Sequence, residues 1–174
     1  MDILILRHAI AEDRLIFAAS EANDDLRPLT GRGRRRMERG AQGIRRVLRR
    51  IDIIATSPLV RATETATILA RTYLEAPELV ELPTLAPGID PAETTRWLGT
   101  QPPEAVVALV GHEPDLSSLL AWLTTGGREG FTHLRKAGAA LVHCPGEPEA
   151  GGGQLQWLAT AKQLRLLGER TLAP

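Results

Sequence analysis

Cysteine and aromatic residues are scarce in this 174-residue chain, and each scarcity excludes a class of protein. The single cysteine, Cys144, excludes an intramolecular disulfide and a cysteine-rich metal site, and it favours a reducing compartment. Aromatic residues make up only 3% of the chain and the net charge is zero. The chain therefore has few platforms for stacking nucleic-acid bases and no overall basic field, so we expect no nucleic-acid partner.

Long apolar runs are also missing. No segment approaches the roughly 20 apolar residues that span a bilayer. The apolar beginning is interrupted by Asp2 and Arg7 and lacks the basic start of a signal peptide. We therefore expect a cytoplasmic protein without a membrane partner. With 43% hydrophobic residues, the length predicts one domain over residues 1–174, as a monomer or a weak dimer.

Short apolar runs alternate with helical patterns along the chain. Such alternation is typical of an α/β protein, and we predict a three-layer sandwich with a mostly parallel central sheet and helices on both faces. The last two strands flank a link rich in glycine and proline, which predicts a hairpin. The predicted strands are residues 3–6, 51–56, 79–82, 105–110, 138–144 and 154–160.

Four helices are predicted between these strands, each beginning at a residue type that caps helices. The candidate N-caps are Thr30, Ser57, Asp90 and Asp115. In the first and longest helix, apolar residues recur at spacings of four and three, which indicates one buried stripe. The stripe consists of Met37, Ala41, Ile44, Leu48 and Ile51. Arginines fill the other faces of this helix, and we expect them to be mostly solvated.

Three of the predicted strands lead into charged or reactive side chains. Arg7 and His8 follow the first strand, Arg61 comes shortly after the second, and His112 follows the 105–110 strand. Because open α/β sheets bind ligands at the carboxyl ends of their strands, we expect these side chains to meet. A guanidinium group can bond two phosphate oxygens at once, and the helix start before Arg61 also favours an anion. The pattern predicts a phosphate pocket around His8.

In such a pocket a neutral His8 could attack phosphorus in line and form a phosphohistidine that water then hydrolyses. Nearby cations would favour the neutral ring, and a backbone carbonyl that accepts the other ring N–H would fix its tautomer. The four histidines lack the close spacing of metal ligands, so we expect no metal and no cofactor. His133 and His143 have no evident partners and are interpreted as structural.

Four motifs in order resemble the histidine phosphatase superfamily, which also includes the phosphoglycerate mutases. They are Leu-Arg-His-Ala at residues 6–9, Arg-Pro-Leu-Thr at 27–30, the segment 56–66, and Gly-His-Glu-Pro at 111–114. Their spacing is similar to that of the short SixA-type phosphohistidine phosphatases. The resemblance implies a phosphoglycerate mutase-like fold, with His8 phosphorylated and Arg7, Arg61 and His112 holding the phosphoryl group. Ala9 departs from the glycine of the family signature.

Larger relatives insert a lid that carries an acidic proton donor, and the link at residues 74–88 is too short for one. By this resemblance the site is open, as suits a phosphoryl group carried by a protein. Glu113, directly after the second histidine, is the candidate catalytic acid. The implied activity is that of a metal-free phosphohistidine phosphatase. Two alternatives stay open: a small-metabolite phosphomonoesterase on the same scaffold, and a phospho-ligand binding module without turnover.

Overall fold

The computed structural model of the protein describes residues 1–169, which form a six-stranded sheet covered by helices. The strands are β1 (Asp2–Arg7), β2 (Ile53–Thr56), β3 (Glu78–Glu81), β4 (Val106–Gly111), β5 (Ala139–His143) and β6 (Gln154–Ala159). The helices are α1 (Arg14–Ala18), α2 (Gly31–Val47), α3 (Val60–Ala70), α4 (Pro91–Leu98), α5 (Asp115–Thr125) and α6 (Ala161–Glu169). Residues 170–174, the end of the predicted 1–174 domain, lie outside the described residues.

The sheet is mostly parallel, as predicted. Its strand order is β3-β2-β4-β1-β5-β6. The first four strands pair in parallel, whereas β5 is antiparallel to both β1 and β6 and forms the predicted hairpin with β6. The carboxyl ends of β1, β4 and β2 therefore lie side by side at one edge of the sheet.

Each face of the sheet carries its own core, which confirms the three-layer prediction. Along β1, Leu4 and Leu6 belong to a core with α2, α3 and α6. Ile3 and Ile5 belong to a second core with α4 and α5. This division follows from the two-residue period of a strand, which sends alternate side chains to opposite faces. Within residues 1–169, no helix has both the length and the apolar character needed to cross a membrane.

Two of the predicted N-caps are confirmed. The Thr30 hydroxyl accepts a hydrogen bond from the Gly33 N–H at the start of α2 (2.9 Å). The Asp90 carboxylate accepts from the Ala92 N–H at the start of α4 (2.9 Å). In both cases a side-chain oxygen satisfies an N–H that has no partner within the helix.

The other two predicted N-caps are wrong. Helix α3 begins at Val60, three residues after Ser57, whose hydroxyl instead lies 2.8 Å from the ring of His112. Asp115 is the first residue of α5 rather than the residue before it, and its carboxylate accepts from the Gly88 N–H (3.1 Å). Both side chains therefore contact residues elsewhere in the fold instead of capping a helix.

Helix α6 was not predicted from the sequence, and it packs closely against α2. Leu164 of α6 is buried in the same core as Met37 and Ile44 of α2. The two helices meet at Gly43 and Gly168, where a Cβ atom on either residue would overlap a backbone carbonyl oxygen of the other helix. Glycine therefore permits a crossing closer than side chains allow.

A methyl group at the helix crossing should separate α2 from α6. We expect Gly43→Ala to lower the free energy of unfolding by about 2 kcal/mol, since overpacking a tight contact strains both helices. Gly40→Ala is the matched control in the same helix, because its Cβ would have no neighbour within 4 Å. It should raise stability by up to about 1 kcal/mol. Urea unfolding of both variants measures the difference, and equal stability would contradict the close crossing.

Candidate active site

The edge formed by the ends of β1, β4 and β2 carries a cavity of about 800 Å³. The predicted site residues all line it: Arg7, His8, Arg61, His112 and Glu113. Arg7 ends β1 opposite Gly111 of β4, and the His8 N–H donates to the Gly111 carbonyl (3.0 Å). His112 follows β4, and Arg61 lies in the first turn of α3, after β2. The structure thus brings together every residue proposed for the pocket.

The ring of His8 is held in one tautomer by its own backbone. Its Nδ1 lies 2.7 Å from the Ala9 carbonyl oxygen. A carbonyl only accepts, so the neutral ring carries its proton on Nδ1 and leaves a lone pair on Nε2. The residue is 6% exposed, and its ring centroid lies 5.1 Å from that of His112. His8 is thus an oriented base or nucleophile inside the cavity.

Burial keeps both imidazoles neutral. The pKa of His8 is lowered to about 3, chiefly by burial, which the Ala9 carbonyl opposes and the neighbouring His112, Arg61 and Arg7 reinforce. Burial likewise lowers the pKa of His112 to about 4, followed by Arg61 and Arg7. A lowered pKa for His8 was predicted from the sequence on the basis of nearby cations alone. Desolvation is the larger cause.

Arg61 is anchored by an acidic residue that sequence reasoning missed. It is 6% exposed, and its Nη1 donates to the Asp24 carbonyl (2.9 Å) and lies 3.3 Å from the Asp24 carboxylate. The same carboxylate accepts from Arg27 Nε (2.8 Å), and this bond is the first cause of a lowered pKa for Asp24. Arg27 also lines the cavity, although it was predicted only to belong to the motif at residues 27–30.

Arg7 is anchored by backbone. Its Nη1 donates to the carbonyl of Leu134 (2.7 Å) and lies 3.3 Å from Nε2 of His133. The Nε atoms of Arg7 and Arg61 are buried without a hydrogen-bond partner among the described residues. Because an unpaired buried donor costs about 1–3 kcal/mol, a nearby acceptor would stabilise both guanidinium groups.

Glu113 borders the cavity, but its carboxylate is occupied by protein donors. Its side chain is 3% exposed, and both oxygens lie within 2.8 Å of the Ser117 hydroxyl. The Leu134 N–H donates to it (3.0 Å), and His133 Nδ1 lies 3.4 Å away. Since Leu134 also accepts from Arg7, Glu113 fixes the backbone that orients this guanidinium group.

The prediction that His133 and His143 have no partners is wrong. His133 contacts both Arg7 and Glu113 at the rim of the cavity. His143 lies opposite Asp2 at the start of β1, whereas the cavity lies at the end of this strand. Its Nδ1 is 2.7 Å from the Asp2 carboxylate. No sequence pattern links His133 to Arg7 or His143 to Asp2, because more than 100 residues separate the partners in each of these two pairs.

Thr65 ties the loop after β1 to helix α3. Its side chain is buried, its hydroxyl accepts from the Ala9 N–H (3.0 Å), and it donates to the Arg61 carbonyl (2.7 Å). One hydroxyl group therefore joins Ala9, which orients His8, to Arg61. The position of Thr65 within the motif at residues 56–66 was the one sequence signal that could have predicted this role.

The charges of the site suit a tetrahedral dianion. Two fixed cations, Arg7 and Arg61, border the cavity beside two neutral rings, and preorganised donors of this kind stabilise phosphoryl oxygens. Within residues 1–169, no cluster of three or more histidine, cysteine, aspartate or glutamate side chains could hold a metal ion.

The lowered pKa values predict that His8 and His112 stay neutral at pH 5, where an ordinary imidazole is protonated. In the unfolded chain both rings bind a proton near pH 6.5, so the free energy of unfolding should fall as the pH drops from 6.5 to 5, by about 1–2 kcal/mol for each ring. NMR titration of the ring protons, assigned with His8→Asn and His112→Asn, measures the midpoints. A midpoint near 6.5 for His8 would contradict its burial.

Removing the Thr65 hydroxyl should loosen the loop around His8. Thr65→Val keeps the shape but leaves the Ala9 N–H unpaired, so we expect a loss of about 1–3 kcal/mol in the free energy of unfolding. Thr65→Ser keeps the hydroxyl and should lose less. Denaturant unfolding compares the two variants, and a valine variant as stable as the serine variant would show that the bridge contributes nothing.

Comparison with known proteins adds sequence and structural relatives. The family model of the histidine phosphatase superfamily (branch 1) matches residues 3–85. An uncharacterized protein of Picosynechococcus sp. (strain ATCC 27264 / PCC 7002 / PR-6) is 36% identical over 146 residues, which cover 79% of this chain and 82% of that protein.

Solved structures agree with the family model. The protein histidine phosphatase SixA complexed with tungstate superposes with a TM-score of 0.79 and 26% identity, covering 94% of this chain and 99% of that one. A phosphoserine phosphatase mutant from Entamoeba histolytica, in complex with phosphoserine, has a TM-score of 0.64 and 15% identity, covering 94% and 98%. The second likeness shows the fold alone, which is phosphoglycerate mutase-like. With its family match, its SixA-like structure and its four ordered motifs, the chain belongs to the histidine phosphatase superfamily and is of the SixA type.

Proposed function

We propose that this phosphatase removes phosphoryl groups from phosphohistidine on proteins, through a covalent intermediate on His8. The Nε2 lone pair attacks phosphorus on a substrate ring that is protonated on its other nitrogen. The bond from phosphorus to the substrate imidazole breaks, and that ring leaves as neutral imidazole with the proton it already carried. Water then attacks the phosphoryl group, inorganic phosphate leaves, and Nε2 of His8 is free again. Arg7, Arg61 and His112 hold the equatorial oxygens in both steps.

The orientation of His8 carries the proposal. Its Nδ1 proton is committed to the Ala9 carbonyl, so the nucleophilic nitrogen is the one that remains. Its pKa of about 3 leaves the ring unprotonated at neutral pH. The SixA relative was solved with tungstate, a tetrahedral oxyanion like phosphate, and a comparable anion here would meet both arginines.

A protein substrate is supported by the open rim of the cavity. The link at residues 74–88 is predicted to be too short for a lid. It contributes only Pro87 to the described lining of the cavity. Asp13 and Arg14 also line the cavity. The next two residues in the chain, Leu15 and Ile16, are 83% and 74% exposed. Exposed apolar side chains beside a site are typical of contact with a macromolecule.

The contacts of Glu113 support a positioning role rather than the predicted role of proton donor. Its oxygens accept from the Leu134 N–H and lie against Ser117, so the carboxylate presents no proton to the cavity in this arrangement. A neutral imidazole is a better leaving group than an alkoxide, so its departure needs less help from an acid. The assignment of Glu113 as the acid stays a prediction.

A small-metabolite phosphomonoesterase is the second candidate. Acidic side chains at the rim, Glu12, Asp13 and Asp25, could bind the ammonium group of a phosphorylated amino acid. The Entamoeba histolytica relative binds phosphoserine on the same fold. A site that binds phosphate without turnover is the third alternative.

We also propose that residues 1–174 form one domain, as a cytoplasmic monomer or weak dimer. One sheet joins all the described strands, and the proposed site residues come from a single chain. Cys144 is buried and unpaired, as suits a reducing compartment.

Removal of the nucleophile tests the mechanism. We expect His8→Ala to lower kcat by about 1,000-fold or more, both for a synthetic phosphohistidine peptide and for p-nitrophenyl phosphate. The wild type should also form a phosphoenzyme that survives alkali and is lost in acid. His143→Ala is the matched control, since His143 pairs with Asp2 away from the cavity, and it should keep its rates.

The outcomes separate the alternatives. Unchanged turnover in His8→Ala would refute the mechanism. A much higher kcat/KM for phosphoserine than for the peptide would favour the metabolite enzyme. Calorimetric binding of phosphate, without turnover or a phosphoenzyme, would leave only the binding module.

A further inference from the structure

A second cavity, of about 600 Å³, adjoins the catalytic one. Ile10 and Lys136 line both cavities, so the two cavities lie side by side. We call the second cavity the cationic groove, after the five basic side chains that line it: Arg36, Arg135, Lys136, Lys162 and Arg165. None of the described residues that line it is acidic.

The cations of the groove are not directly paired within the described residues. Among residues 1–169, the side chains of Arg36, Arg135, Lys162 and Arg165 make no hydrogen bond and no ion pair. By contrast, Arg34 on the same helix α2 pairs with Glu64 at 2.6 Å. Burial and then the neighbouring Arg36 lower the pKa of Arg165, although Glu169 opposes them. A group of like charges without a directly bonded counter-charge would be stabilised by an anionic ligand.

The apolar part of the groove favours a polypeptide over a small anion. The lining includes Ile10, Ala137 and Ala161, which offer carbon surface beside the charged side chains. The N-terminus of α6 is partly capped by its own residues, because Gln163 accepts from the Thr160 N–H (2.8 Å) and Thr160 accepts from the Gln163 N–H (3.3 Å). Attraction in the groove therefore comes from side chains at several points, as suits several carboxylates along a chain.

We propose that the cationic groove binds an acidic stretch of the phosphorylated protein substrate while its phosphohistidine enters the catalytic cavity. This inference rests on the proposed function and adds the charge of the substrate sequence. Because Lys136 lines both cavities, the acidic residues would lie close to the phosphohistidine in the substrate chain. The net charge of the enzyme is zero, so the attraction is local to this face.

Two synthetic phosphohistidine peptides test the proposal. One carries four acidic residues beside the phosphohistidine, and the other carries glutamine and serine instead. We expect the wild type to use the acidic peptide with a kcat/KM about tenfold higher at low salt, and we expect the preference to shrink as salt is added. Lys162→Gln/Arg165→Gln should abolish the preference and leave the rate with p-nitrophenyl phosphate unchanged.

The matched control is Arg46→Gln/Arg49→Gln, which removes the same charge from a separate basic cavity that shares no described lining residue with the catalytic one. It should keep the preference for the acidic peptide. Equal use of the two peptides by the wild type would overturn the proposal, as would a preference that survives in the groove variant. Equal use of the peptides together with a preference for a small bisphosphorylated ester would assign the groove to a metabolite.

Failure of this inference is distinct from failure of the proposed function. If the groove does not select acidic peptides, both peptides are still dephosphorylated and His8→Ala is still inactive. If the proposed function fails, neither peptide loses its phosphoryl group in the wild type, and the inference falls with it.

Discussion

The parallel pairing of β1, β4 and β2 is the constraint on which the site depends. Arg7 lies opposite Gly111, and Thr56 lies opposite Val110, so three strand ends finish at one level. A slip of one residue would send every side chain of the shifted strand to the opposite face. Both faces of this sheet are buried, so the cores that stabilise the fold also fix the register that brings His8 and His112 together.

The site reconciles two demands that oppose each other. Phosphate binding needs positive charge, whereas an attacking imidazole must remain neutral. Backbone carbonyls and the Asp24 carboxylate hold Arg7 and Arg61 close to the rings, and burial keeps those rings from taking up protons. The unpaired Nε atoms of both arginines remain to be satisfied by an acceptor.

The sequence was sufficient to predict the layers, the mostly parallel sheet and five of the residues that line the catalytic cavity, because these follow from local periodicity and from strand ends. It was insufficient where distant partners decide. Ser57 and Asp115 fit the pattern of helix caps, yet His112 and Gly88 engage them. The roles of Asp24 and His133 depend on contacts across the fold, and the amphipathic α6 was missed although it covers part of one core.

The close crossing of α2 and α6 also has an electrostatic consequence. Arg36 belongs to α2 and Arg165 to α6, so these two walls of the cationic groove stand on helices whose separation is set at Gly43 and Gly168. The density of positive charge on this face is thus governed by two residues that carry no charge and no side chain. Drift in the helix spacing would dilute the field while every basic residue stayed in place.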